Sequence, residues 1–243
     1  MQRLYPAAGD LSEAPSLEHE YLVGTDHHVR ANFVVSLDGR VEVGGRSSKL
    51  GGPADRAAFM AMRAVTDAIL VGAGTVRDEN YGPVQLDADA ISRRLGRSQA
   101  ALPALAIVSN RADLSPTARV FSGARPLLVT TASAAAARSD LGEVAEVLIC
   151  GDEQVDLGRA LQALRARGLG RVLCEGGPTL LHALLTAELL DELCYTSAPA
   201  LVGSGRRNLL GDQPLPDPIS LRLTAILEGD GMILTRYSSG GQR

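Results

Sequence analysis

Arg171-Val-Leu-Cys-Glu-Gly-Gly-Pro-Thr-Leu180 is the stretch that decides the fold. A short apolar run ends in Glu175, two glycines follow, and Pro178 suits the first turn of a helix. This is a strand, a tight turn and a helix start. Backbone N–H groups at a helix start are unpaired and favour an anion, and glycine lets a phosphate approach the backbone closely. A bare strand-to-helix turn would need no acid, so Glu175 points to a further task there.

Working outward, similar apolar runs recur. Arg30-Ala-Asn-Phe-Val-Val35, Asp67-Ala-Ile-Leu-Val-Gly72, Ala104-Leu-Ala-Ile-Val108, Pro126-Leu-Leu-Val-Thr130 and Ala145-Glu-Val-Leu-Ile149 each have the length of a strand buried on both faces. Helical spacing lies between some of them. It shows at Ala57, Met60, Ala61, Ala64 and Val65 after Pro53, and at Leu157, Ala160, Leu161 and Leu164 before Gly168. Leu180, Ala183, Leu184 and Ala187 repeat it. The alternation predicts an α/β fold, a mostly parallel central sheet flanked by helices. Residues 191–203, 219–228 and 231–238 read as further strands, with Gly229-Asp230-Gly231 a hairpin turn. They predict an antiparallel C-terminal edge. Residues 1–28 read as an extension that wraps or frays, 29–243 as one domain, and 82–103 as a surface loop or short helix.

Composition excludes several functions. The net charge is −4, Trp is absent, and no run of five basic residues occurs, so nucleic acid is not the expected partner. No stretch approaches the ~18 apolar residues of a membrane span, and the first residues lack a signal-peptide pattern. A cytoplasmic chain is expected. Cys150, Cys174 and Cys194 close apolar runs without zinc or disulfide spacing, so they read as buried thiols, and no metal is expected. Lys49 is the only Lys among 24 basic residues.

Two further segments carry polar chemistry. Val71-Gly-Ala-Gly-Thr-Val76 is a second glycine loop after a strand, where Thr75 can cap a turn and face a phosphate. It lacks the full Gly-x-Gly-x-x-Gly pattern, since position 77 is Arg. Ser36-Leu-Asp-Gly-Arg40 ends a buried strand in a turn.

In order, Ser36-Leu-Asp-Gly-Arg40, Gly51-Gly-Pro53, Asp67 to Thr75, Glu175-Gly-Gly-Pro-Thr-Leu180 and Leu190-Asp-Glu-Leu193 with Ala198-Pro199 and Val202-Gly203 resemble the riboflavin-pathway pyrimidine reductase family. That family is the reductase domain of the bifunctional riboflavin deaminase–reductase and has a dihydrofolate-reductase-like fold. The resemblance covers about residues 29–238. It implies NADPH-dependent reduction of a ribosylaminopyrimidine 5′-phosphate to its ribitylamino form, by a homodimer. The deaminase zinc motifs are absent, which implies a stand-alone reductase. Carried over residue by residue, Gly176, Gly177, Pro178, Thr179, Leu180 and Leu181 would surround the cofactor phosphates. Thr75, Glu79 and Ser109 would complete the cofactor site, and Val35 would offer its backbone to the nicotinamide amide. Ser47, Lys49, Arg56 and Glu175 would meet the substrate, Arg56 at its phosphate. Asp38 and Glu175 would serve catalysis. Lys49 stands where bifunctional relatives often carry Trp. Two alternatives stay open: a pterin or dihydrofolate reductase, with Asp55 as the acid on the first long helix, and a non-catalytic NADPH-binding regulatory protein.

Overall fold

The computed structural model describes residues 1–203, 207–211 and 213–240. The apolar runs become strands. They are β3 (His28–Ser36), β4 (Ala68–Gly72), β5 (Ala104–Ser109), β6 (Leu127–Thr130), β7 (Glu146–Ile149), β8 (Arg171–Cys174) and β9 (Glu192–Ala198). All seven are parallel neighbours, in the order β9-β3-β8-β4-β5-β6-β7. Ala68, Ile69, Leu70 and Val71 are fully buried, as expected of a strand covered on both faces. Their side chains alternate. Ala68 and Leu70 pack with α6 (Leu157–Arg165) and α7 (Pro178–Thr186), while Ile69 and Val71 face the opposite layer. Part of that second layer is α2 (Pro53–Val65), which starts at a proline as predicted.

The antiparallel edge is also as expected. β10 (Arg222–Gly229) and β11 (Met232–Ser238) continue the sheet beyond β9. Asp230 and Gly231 both have positive φ, the requirement of a two-residue turn matched to strand twist. The strand expected over 191–203 is shorter and stops at Ala198.

Residues 1–28 wrap rather than fray. β1 (Gln2–Tyr5) pairs with β10 and with β2 (Gly9–Asp10), and α1 (Ala14–Tyr21) packs on α2. Tyr21 is held between Arg30 and Arg236, whose guanidinium carbons lie 5.3 and 5.1 Å from its ring centre. Both arginines pair with the buried Glu192, whose carboxyl they hold far below the usual range against the opposing effect of burial.

The segment 82–103 contains a helix, α4 (Ala88–Gly96), capped by Asp87 accepting from the Ala90 N–H at 2.7 Å. Its Arg94 is almost wholly buried and donates to the carbonyls of Arg63, Ala64, Thr66 and Ala100 at 2.6–3.2 Å. It thereby satisfies the carbonyls that end α2. Sequence periodicity could not show this, because three of the four partners lie 28 to 31 residues away in another element. Arg94→Met is expected to lower unfolding free energy by about 3 kcal/mol, because buried carbonyls lose their donors. Urea denaturation measures it, and a loss below about 1 kcal/mol would contradict the role.

Candidate active site

The site exists because two parallel neighbours part. β3 pairs with β8 only as far as Ala31 opposite Cys174, yet β3 runs on to Ser36 beside β9. The Glu175 N–H turns instead to the Leu70 carbonyl of β4, at 3.0 Å. A gap opens between β3 and the Glu175-Gly176-Gly177 loop. Backbone direction alternates along a strand. Asp191 N–H donates to the Val29 carbonyl and Leu37 N–H to the Ala200 carbonyl, so odd-numbered residues of this strand face β9. Asn32 and Val34 therefore turn their backbone groups to the gap, and both line it. Val35 was expected to offer its backbone there. It is 1% exposed, does not line the gap, and its backbone belongs to the β9 ladder. The alternation of strand backbone is the reason.

The two glycine loops touch. The Gly72 N–H donates to the Gly176 carbonyl at 2.8 Å. Gly176 has φ +101°, which excludes most side chains, and the Gly176–Gly177 peptide is cis. A Cβ on Gly177 would lie 2.9 Å from Thr75 Oγ1. Thr75 belongs to α3 (Ala73–Asp78), the short helix after the second glycine loop.

Two hollows meet at these loops, sharing Thr75, Asp78, Gly177, Pro178 and Arg207. The first, of about 320 Å³, is lined by Phe33, Ser47, Asp55, Arg56, Phe59, Glu79 and Glu175 among others. At its floor Glu175, with a side chain 3% exposed, accepts two 2.7 Å hydrogen bonds from Arg63 and one of 2.6 Å from Tyr81 Oη. The pair is bidentate, the arrangement suited to a planar guanidinium. Burial pushes the Tyr81 phenol well above its ordinary value, and the Glu175 carboxylate adds to that. Arg63 also lies 4.3 Å over the Phe59 ring. Arg56 is exposed at the rim with no ion-pair partner among the described residues. Ser47 and Glu79 are tied together, the Ser47 N–H donating to Glu79 Oε1 at 2.7 Å. Burial raises the Asp55 carboxyl above the aspartate range, opposed by a hydrogen bond from Thr196. Its Oδ1 is buried with no hydrogen-bond partner among the described residues.

The second hollow, of about 760 Å³, runs from the glycine loops past Ser109 and Arg111 to Val155 and Leu157. Gly74, Thr75, Ser109, Gly177, Pro178, Thr179 and Leu180 all line it. Gly177, where a side chain would meet Thr75 Oγ1, stands beside a helix start, an arrangement that fits the phosphates of a dinucleotide. Together the hollows are large enough to take its two halves.

Four expected site residues fall elsewhere. Leu181 is fully buried in the core beneath α7. Lys49 does not line either hollow; it is exposed, with its Nζ 3.3 Å from the place of a Cβ on Gly44 in its own loop. Val35 is treated above. Asp38 lies outside the cleft and ties down a loop instead. Its carboxylate accepts from Ser36 Oγ at 2.6 Å, Val202 N–H at 3.1 Å and Gly203 N–H at 2.7 Å. Conversely, Arg63, Tyr81 and Asp55 were not singled out as site residues of the expected reaction. Arg63 and Glu175 are 112 residues apart, and only the fold joins them. The three cysteines are buried as expected, and burial pushes Cys174 and Cys194 up to about 12.

The donors to Asp38, Ser36 first, hold its carboxyl below the ordinary value, at about 2. A depressed value stabilises the loop above the unfolded value and releases it as pH falls through about 2. The Val202 and Gly203 amide resonances are expected to titrate there, and a midpoint at the ordinary aspartate value would contradict the contact.

The family model described as "RibD C-terminal domain" matches residues 27–234. The chain is 29% identical over 202 residues to the 2,5-diamino-6-ribosylamino-4(3H)-pyrimidinone 5′-phosphate reductase of Methanothermobacter thermautotrophicus, covering 81% of this chain and 90% of that protein. It is 32% identical over 200 residues to the riboflavin biosynthesis protein RibD of Mycobacterium tuberculosis, covering 81% of this chain and 48% of that one. The structure of a pyrimidine reductase-like protein from Corynebacterium diphtheriae matches at a TM-score of 0.81 and 27% identity, over 91% of this chain and 98% of the other. Parted strands, paired glycine loops and these likenesses agree: the chain belongs to the RibD C-terminal domain family.

Proposed function

We propose that this chain is the NADPH-dependent reductase that converts a ribosylaminopyrimidine 5′-phosphate to its ribitylamino form in riboflavin biosynthesis. The observation that carries the reading is the buried Glu175–Arg63–Tyr81 cluster at the floor of a cleft that opens onto two glycine loops. Three relatives are named as reductases of the 2,5-diamino form. Bound across the glycine loops, the cofactor would supply a hydride to the sugar C1′. The chain has the remaining work, which is orientation and charge. Arg56, at the rim with no ion-pair partner among the described residues, suits the substrate phosphate, needed because the protein is acidic overall. Arg63 and Tyr81 fix the Glu175 carboxylate, whose one remaining lone-pair site, on Oε1, can accept from a sugar hydroxyl. Phe33 and Phe59 give the cleft apolar walls for a flat ring. Asp38 is a positioning residue, acting through the 199–203 loop. The same reading extends to a homodimer acting in the cytoplasm, and sedimentation tests the dimer.

A second reading, reduction of a pterin or dihydrofolate, has one observation behind it. Asp55 places a buried, partly unpartnered carboxyl at the start of α2 and on the cleft. Loss of NADPH absorbance separates the readings. Oxidation with the ribosylaminopyrimidine phosphate is expected. Oxidation of NADPH with dihydrofolate alone would favour the second reading, and NADPH binding with no oxidation of NADPH by either substrate would leave a regulatory protein.

Glu175→Gln is expected to lower turnover about 100-fold through misplaced substrate, with NADPH affinity nearly intact. Gly177→Val should do the reverse. Its side chain meets Thr75 Oγ1 and weakens NADPH binding about tenfold or more. Kinetics with saturating cofactor and equilibrium titration distinguish the two. A Glu175→Gln protein with full turnover but weak NADPH binding would overturn the substrate role.

A further inference from the structure

Acids at other helix starts of this chain serve the helix. Asp87 accepts from the Ala90 N–H of α4 at 2.7 Å, and Asp156 from the Arg159 N–H of α6 at 3.0 Å. Asp55 stands near the start of α2, but no side chain caps that helix. Its carboxyl lines the first hollow and takes a hydrogen bond from Thr196 of β9. Gly51 leaves it room, since a Cβ there would lie 2.7 Å from Asp55 Oδ2. Asp55 Oδ1 is buried with no hydrogen-bond partner among the described residues.

The other carboxylates of this hollow are committed. Glu175 is held by Arg63 and Tyr81. Glu79 accepts from the Ser47 N–H. Asp78 accepts from Arg207 at 2.8 Å, and Glu42 lies 3.8 Å from the same guanidinium. Each of these contacts favours the ionised form. Asp55 shares the hollow with all of them and has Arg56 beside it on α2. Burial nevertheless raises its carboxyl, against Thr196 and Arg56. A carboxyl kept protonated, with an oxygen still to be paired, is suited to deliver a proton.

The sheet register places that proton. Thr196 is the β9 partner of Val34, whose backbone faces the gap beside β3. Paired strands lie about 5 Å apart. Under the reductase reading the nicotinamide lies beside Val34 and Glu175 holds the sugar. The Asp55 carboxyl then stands about one strand spacing from the carbon that receives the hydride.

We propose that Asp55 is the general acid of the reduction and protonates the ribose ring oxygen, O4′. The C1′–O4′ bond breaks and its electron pair goes to O4′, which takes the Asp55 proton and becomes the 4′-hydroxyl. The exocyclic nitrogen shares its lone pair with C1′, giving an iminium. C1′ then accepts a hydride from the cofactor, which is oxidised, and the C=N electron pair returns to nitrogen. Asp55 regains a proton from solvent, so each turnover consumes one hydride and one proton.

The proposal deepens the reductase reading and rests on it. Asp55→Asn keeps the shape and removes the acid. Turnover is expected to fall about 100-fold, with NADPH affinity unchanged by fluorescence titration. The isotope effect from NADPH deuterated at the transferred position separates an acid from a structural group. Without its acid, ring opening limits the rate and the effect falls toward one. A structural role would slow hydride transfer itself and keep the effect full, which would overturn the proposal. For the wild-type chain kcat/KM should fall as pH rises past the Asp55 value, because the acid must be protonated, and Asp55→Asn should lack that limb. One readout needs no turnover. In protein with isotope-labelled aspartate, the carboxyl NMR resonance removed by Asp55→Asn should titrate above the ordinary aspartate value, and an ordinary titration would overturn the proposal. The melting temperature should not fall, since a buried oxygen without a partner is lost. Asp55→Ser repeats the kinetics should the amide fail to fold. Full turnover by either variant would overturn this proposal and leave the reductase reading standing. No NADPH oxidation by the wild-type chain with the ribosylaminopyrimidine phosphate would overturn both.

Discussion

Everything in this site follows from the place where β3 and β8 stop pairing. Up to Ala31 and Cys174 they are ordinary parallel neighbours. Beyond, Glu175 commits its N–H to β4 and β3 commits its odd-numbered residues to β9. The backbone of Asn32 and Val34 is then left facing open space, which is costly in a core and useful in a binding cleft. The same divergence brings Gly176 against Gly72, so the two glycine loops are one structure and not two coincident motifs. Residues at the ends of α2 and α3 complete the walls.

A carboxylate as deeply placed as Glu175 needs partners, and removing one from such a pair leaves an uncompensated charge. Arg63 supplies two hydrogen bonds and Tyr81 one. These bonds make the floor of the cleft rigid and close to neutral. Arg56 at the rim has no ion-pair partner among the described residues.

The strands were legible because parallel strands buried on both faces write continuous apolar runs, as Ala68 to Val71 do. Helix starts were legible at Pro53 and Pro178. Glu175 stood out because an acid beside a phosphate turn is electrostatically awkward, and Arg63 explains how it is accommodated. What stayed hidden were contacts between distant segments. Arg63, Tyr81 and Glu175 lie on three elements, and no local pattern links them. Arg94 reads as a surface charge and is instead the cap of another helix. Asp38 sits in a turn motif, but its ligands come from residues 202 and 203. Lys49 drew attention as the only lysine, yet rarity is a matter of composition and its amine stays by Gly44. That the Val35 backbone faces β9 was within the reach of strand alternation only once the pairing partners were known.

The most direct measurement is a crystal structure of the chain soaked with NADPH. The account predicts the dinucleotide across both glycine loops, its pyrophosphate at Gly176, Gly177 and Thr75, and its nicotinamide in the gap beside Val34. Arg56 and Glu175 should remain facing the open side of the first cleft. A cofactor bound elsewhere, or one whose nicotinamide end lies away from the gap between β3 and β8, would contradict it.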